Sequence, residues 1–182
     1  MLACVLMERS DAADPALVAR LLAISPALEQ QGEVVLLDVR GTSRLHGGAA
    51  GLFQAIRASL APRTVRGLSL AANRFTAEVA ARHGAGRPLV VAPGDEASFL
   101  AHLPLEVLPL SADLHRRLAP LGLERVGDLA SLPVASLESR YGPEGVVAHR
   151  LARGEDEVGL VPLRPEEPVQ IHVALEEALA TL

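Results

Sequence analysis

Glu33-Val34-Val35-Leu36-Leu37-Asp38-Val39-Arg40-Gly41-Thr42-Ser43-Arg44-Leu45-His46-Gly47-Gly48 is the stretch whose reading decides the fold. It opens as a short, unbroken aliphatic run, which reads as a strand covered on both faces and so central in a sheet. Asp38 closes the run, and a polar turn punctuated by glycine leads into a helix. In α/β proteins such strand ends are where sites are built. Upstream, Ala27 to Gln30 is expected to be extended, with Gln31-Gly32 turning it back into the central strand as a hairpin. Leu2 to Met7 is a first apolar strand. Asp14-Pro15 reads as an N-cap followed by proline at the first helical position, and Leu17, Val18, Leu21 and Leu22 give that helix one apolar face until Ser25-Pro26.

Downstream, a helix from Gly48 to Leu60 directs Leu52, Phe53, Ile56 and Leu60 inward and ends at Ala61-Pro62. Val65 to Ala71 is a strand. Asn73 caps a helix to Arg82 that is expected to bury Phe75, Val79, Ala72, Ala77 and Ala80. Leu89-Val90-Val91 is a last short strand, closed by Pro93-Gly94. The order β-α-β-β-α-β-α-β predicts an α+β unit, with helices on one face of a mixed, mostly antiparallel sheet. Past residue 95 strands give way to short helices, so a boundary is placed there: 1–94 an α+β unit, 95–156 a small all-α unit. The acidic, proline-rich 157–182 is expected to be a linker or tail, with Val169 to Ala174 alternating like one more strand.

Composition narrows the function classes. Of 182 residues, 49% are hydrophobic and only 2% aromatic, so a base-stacking platform is nearly excluded. All 17 basic residues are arginine. Without lysine there is no Schiff-base or lysine-dependent phosphate chemistry. A net charge of -5 argues against gripping nucleic acid by charge alone. The single cysteine, Cys4, can form neither an internal disulfide nor a zinc site, which fits a reducing compartment. No apolar run reaches membrane-spanning length. The expected setting is cytoplasmic, away from membranes.

Two-metal phosphoryl transfer needs convergent carboxylates, because each ion demands several oxygens. The candidates are Glu8, Glu33 and Asp38. Glu33 and Asp38 fall on opposite strand faces and cannot share a metal without a bulge; otherwise Asp38 caps the following turn and Glu33 is a solvated strand start. Histidines 46, 83, 102, 115, 149 and 172 lack ligand spacing, so no metal site is expected. Ser43, His46 and Asp38 do not form a hydrolase triad, since the Gly-x-Ser-x-Gly elbow is missing. His46-Gly47-Gly48 before a helix would offer amides to an anion, or simply make a tight turn. Leu118 to Ala130 reads as helix, glycine hairpin, helix. That is either a packing corner or a hairpin offering main-chain N–H groups to DNA backbone.

The order of the parts resembles the Y-family DNA polymerases: Leu36 to Gly41, then Gly67 to Ala77, then the hairpin Gly122–Ala130, then Tyr141 to Gly145 with Leu151 to Asp156. The stretch around Asn73 is similar to the family's palm motif Gly-Ile-Ala-x-Asn-Lys, with Arg74 in the lysine position. Arg44-Leu45-His46-Gly47 resembles the catalytically degenerate ImuB-like branch. In family register the catalytic aspartate position falls on Glu33, its glutamate neighbour on Val34, and the first-strand aspartate near Leu6, with Glu8 where the second stands. The fingers insertion is replaced by one short helix, and Leu108-Pro109-Leu110-Ser111 replaces the first thumb hairpin.

The resemblance implies a palm and a helix-hairpin-helix thumb over roughly residues 25–160. The function expected from it is a non-catalytic accessory in DNA repair or translesion synthesis, without cofactor (magnesium only if Glu8, Glu33 and Asp38 act). An active metal-dependent nucleotidyltransferase and a purely structural interaction module are the alternatives. Expected DNA contacts are Gly122, Leu123, Arg125 and Gly127, with Arg116, Arg117, Arg140 and Arg74. The implied partners are DNA, held weakly by its backbone, and replication or repair factors: a polymerase, a RecA-like protein and the sliding clamp.

Overall fold

The structure, a computed structural model, describes residues 1–8 and 14–163. Five strands, β1 (Leu2–Met7), β2 (Leu28–Gln31), β3 (Val34–Asp38), β4 (Val65–Ala71) and β5 (Leu89–Val90), form one sheet in the order β2-β3-β1-β4-β5. Only β4 and β5 run parallel. The expected element order and mostly antiparallel sheet are both present. The β2–β3 turn consists of Gly32 and Glu33, so Glu33 lies in the turn rather than on the strand.

Two period-2 patterns sort the sheet residues. Ala3, Val5, Val35, Leu37, Leu68 and Leu70 face α1 (Pro15–Leu22) and α2 (Ala49–Leu60), meeting Leu17, Leu21, Leu52, Ile56 and Leu60. Cys4, Leu6, Val34, Leu36 and Ala71 point the other way, onto Ala77, Ala80 and Ala81 of α3 (Arg74–His83). The sheet is therefore covered on both faces, not on one as the element order suggested. Most of these aliphatic side chains are fully excluded from solvent, each worth roughly 1.5–3 kcal/mol of transfer free energy. The second face is covered by small residues at short range: a Cβ added to Gly67 of β4 would stand 2.1 Å from the Ala81 carbonyl oxygen. Within α3, Ala72 precedes the helix and is exposed and Phe75 is half-buried, whereas Thr76 and Ala81 are buried.

The remaining helices are α4 (Glu96–Ala101), α5 (Ala112–Leu118), α6 (Val126–Ala130) and α7 (Val134–Ala152), the last broken at Gly142 (φ 65°, ψ -154°). Leu100, Leu105, Leu114, Leu118, Val126, Leu129 and Leu137 form their own aliphatic cluster, which also takes in Val79 of α3. Among the described residues no helix is long and apolar enough to cross a membrane.

The end of the helical unit meets the sheet unit where Asn73 Nδ2 donates to the Gly154 carbonyl (2.7 Å) and the Phe75 amide donates to Asp156 Oδ2 (2.8 Å). The stretch read as a linker docks on the sheet unit as far as residue 163, through the Val161 amide on Glu29 Oε2 (2.8 Å) and the Leu163 amide on the Leu28 carbonyl (2.7 Å). The expected strand Val169 to Ala174 lies outside the described residues.

Candidate functional site

The three candidate carboxylates divide between the ends of the sheet. β1 and β3 are antiparallel with Leu6 opposite Val34 and Leu2 opposite Asp38. The Met7 amide donates to the Glu33 carbonyl (2.9 Å), which brings Glu8 and Glu33 to one end. Asp38 closes the other end. There Arg40 Nε donates to its carboxylate (2.9 Å), and this hydrogen bond holds the Asp38 carboxyl below the usual range. Asp38 also accepts the Arg40 amide (3.1 Å), which is the turn-capping role its position suggested. At the opposite end Glu33 pairs with Arg66 of β4 at 3.3 Å. A polar cleft of about 450 Å³ there is lined by Gln31, Gly32, Glu33, Val34, Glu78 and Arg82.

Leu6 and Val34, the other two positions in family register with metal ligands, are cross-strand partners packed in the aliphatic layer under α3, each 7% exposed. Among the described residues no three His, Cys, Asp or Glu side chains are grouped to hold a metal ion. Two ions sharing a phosphoryl group need more oxygens than Glu8 and Glu33 offer. The described residues do not by themselves fit a two-ion centre.

The cysteine and the loop residues have structural settings. Cys4 is buried in the sheet, and burial pushes its thiol up to about 12. Ser43 to His46 form a 3₁₀ turn, and Gly48 leads into α2 with its amide on the Ser43 carbonyl (2.8 Å).

Arg74 is held by ion pairs within the fold. Its guanidinium meets Glu29 at 2.8 Å and Glu78 at 3.1 Å, with all three side chains no more than a fifth exposed, and it also donates to Gln31 (3.2 Å). Glu29 in turn accepts the Val161 amide (2.8 Å). The sequence placed Arg74 among the DNA contacts; the fold makes it the centre of a clamp between α3, β2 and the returning chain. The partner carboxylates lie 45 residues apart or four apart, and only the second spacing is readable on a helix.

A glycine-containing hairpin joins α5 and α6. Gly122 sits at φ 66°, a left-handed conformation that closes the 3₁₀ turn Ala119–Leu121. The amides of Glu124 and Arg125 both donate to the Asp128 carboxylate (3.0 and 2.8 Å), which lowers that carboxyl. These two main-chain donors are thus occupied within the hairpin. Arg125 is exposed and its guanidinium donates to the His102 carbonyl (3.0 Å). Leu123 packs on the helical cluster, and Gly127 is pressed on α4, where an added Cβ would meet Ala101 at 3.0 Å.

The exposed positive surface lies on the neighbouring helices. Arg117 stacks over the Tyr141 ring at 4.9 Å and donates to the Arg140 carbonyl. Arg116 pairs with Asp113 at 3.0 Å while remaining 77% exposed. Arg116 and Arg117 thus share Asp113 (3.0 and 3.8 Å) on α5, and Arg117 links α5 to the Arg140 carbonyl on α7.

No family model matches the chain. A DNA polymerase IV from Caulobacter vibrioides is 34% identical over 125 residues, covering 66% of this chain and 31% of that protein. Protein ImuB of the same species is 32% identical over 145 residues, covering 79% of this chain and 32% of the relative. In structure, DinB from Sulfolobus solfataricus superposes with a TM-score of 0.62 at 21% identity, covering 80% of this chain and 46% of that one. The expectation that this is not an enzyme is overturned here: several relatives carry the name of an enzyme, DNA polymerase IV, alongside the one named ImuB. The chain spans about a third of the length of the curated relatives it matches. The five-stranded sheet has the fold of the polymerase palm, and the chain is a homologue of the Y-family DNA polymerases.

Proposed function

We propose that the chain forms the palm and thumb of a Y-family polymerase-like protein acting in DNA damage tolerance. Residues 1–94 are the palm, 95–156 the thumb, and the thumb holds the DNA backbone through Arg116, Arg117 and Arg140, with Arg125 at the hairpin. The observation that carries this reading is the fold itself, shared with a DinB polymerase over 80% of the chain. It is joined by the face on which Arg117 is braced between Tyr141 and Arg140. Guanidinium groups held in place, but left largely in solvent, lose little entropy on meeting a phosphate. The net charge of -5 makes such a contact local and sensitive to salt. The same acidity favours basic protein surfaces as additional partners among replication and repair factors.

Fluorescence anisotropy with a labelled primer–template duplex tests the reading. Binding is expected at about 50 mM salt and weakens steeply as salt rises. Replacing Arg116, Arg117 and Arg140 together by alanine lowers the slope of log K against log salt by roughly 3, about one per phosphate contact. Wild-type protein that fails to bind at low salt overturns the reading.

A further inference from the structure

The two edges of the sheet are finished differently. β2 carries the returning chain, with the Leu163 amide on the Leu28 carbonyl (2.7 Å). β5, the opposite edge strand, pairs with β4, and among the described residues no other strand lies beside it. Just after it the Val91 amide donates to the Leu70 carbonyl (2.8 Å), so by strand alternation the Val90 N–H and C=O point off the sheet. The Val90 side chain is 47% exposed.

Beside this edge an open, mostly apolar groove of about 440 Å³ runs between α2 and β5. Ala50, Phe53 and Arg57 line it from α2, spaced three and four residues apart on one helix face. Pro88 and Val90 line it from the strand side. Two cations border it. Arg57 is exposed, and its Nη2 donates to the Gly86 carbonyl (3.1 Å), which holds the guanidinium between α2 and the loop before β5. Arg87, in that loop, is exposed as well. Neither has an ion pair with a described carboxylate, whereas Arg63 and Arg66 do.

We infer that the α2–β5 groove docks an extended segment of a partner protein in which an apolar residue stands beside an acidic one. The apolar side chain fills the groove over Phe53, the carboxylate meets Arg57 and Arg87, and the segment's backbone pairs with Val90 as a short added strand. Charge complementarity selects this occupant. A neutral apolar segment would leave both guanidiniums without a counter-charge. Nucleic acid would leave the apolar floor unused, since a phosphate backbone has no anchor to bury there. The contact is independent of the DNA-handling role proposed above.

A random heptapeptide library displayed on phage, panned on the full chain and counter-panned on Ala50→Trp, tests the inference. Ala50 is exposed on α2, so tryptophan there fills the groove without entering the core. The selected peptides are expected to share an apolar residue within two positions of Asp or Glu. Their consensus, made as a labelled peptide and followed by fluorescence polarisation, is expected to bind Arg57→Ala/Arg87→Ala roughly five- to tenfold more weakly than wild type. Arg57 also bonds within the fold, so Arg87→Ala alone is the second variant. It is expected to weaken the peptide about two- to threefold and to leave thermal melting unchanged. No enrichment over the counter-selection, or a consensus without an acidic residue, overturns the inference. Displacement of the peptide by the duplex in the Arg116, Arg117 and Arg140 alanine variant would assign these arginines to phosphates and overturn it too. So would a wild-type dimer in sedimentation that Ala50→Trp abolishes, since the groove would then belong to a second copy.

Discussion

The Asp156 carboxylate accepts the main-chain amide of Phe75, 81 residues earlier in the chain, at 2.8 Å. Asn73, the local N-cap of α3, accepts the Thr76 amide with its side-chain oxygen (2.9 Å) and donates with its side-chain nitrogen to the Gly154 carbonyl (2.7 Å). The start of α3 is thus capped twice, once from its own sequence and once from the chain leaving the helical unit. Helix starts leave several amides without intrahelical partners, and a carboxylate there meets both the hydrogen-bond and the dipole demand.

Asp156→Ala removes one of these acceptors and is expected to destabilise the protein by about 1 kcal/mol, the usual worth of a cap. Urea unfolding at neutral pH measures it. A change within the error of the midpoint would show that water replaces the carboxylate at no cost.

Glu29→Gln breaks the charge at the clamp on Arg74 while keeping the side-chain shape. Arg74 keeps Glu78, but the pairing that spans β2, α3 and Val161 is weakened. Hydrogen exchange at Val161 and Leu163 is expected to accelerate, with the sheet core unchanged. Uniform acceleration across β1 and β4 would point to global destabilisation instead.

Gly67→Ala places a methyl group where β4 and α3 have no room, 2.1 Å from the Ala81 oxygen. Backbone cannot yield as a flexible side chain does. A loss on the order of 1–3 kcal/mol or more is expected, read as a lower melting temperature. Gly159→Ala, which meets nothing within 4 Å, is the matched control and is expected to be near neutral.

Asp38 gives the protein a defined acid sensitivity. Its carboxyl is held low in the folded state by Arg40, so the stabilisation is present above the unfolded value of about 3.9 and is lost as pH falls through the lower folded value. Asp38→Asn is expected to lower the melting temperature at pH 7, and the difference from wild type shrinks below about pH 4. A difference that is constant with pH would assign the effect to packing rather than charge.

Much of the sheet was legible because its strands are short aliphatic runs bounded by Gly, Pro and Asn, and because Leu52, Phe53, Ile56 and Leu60 recur at helical spacing. What the sequence hid has identifiable causes. The cover on the second sheet face depends on Gly67 against Ala81, small residues that carry little periodic signal. Glu33 falls in the turn because Gly32, in the left-handed conformation, takes the first turn position and sets the turn one residue later than the Gln31-Gly32 reading. The clamp on Arg74 was hidden because its carboxylate partner Glu29 is remote in sequence. Residues 157–163 looked like a linker because proline and acid residues dominate there, whereas their docking uses main-chain amides, which composition does not encode.

That docking also bears on how the protein coexists with its own copies. β2 is the outermost strand on its side of the sheet, and an open row of strand amides and carbonyls invites pairing with another chain. Here the Leu163 amide occupies the Leu28 carbonyl, Val161 is held by Glu29, and Arg74 lies across Glu29 and Gln31. The returning chain therefore blunts the sheet edge, and guards it against edge-to-edge aggregation while it joins the two units of the fold.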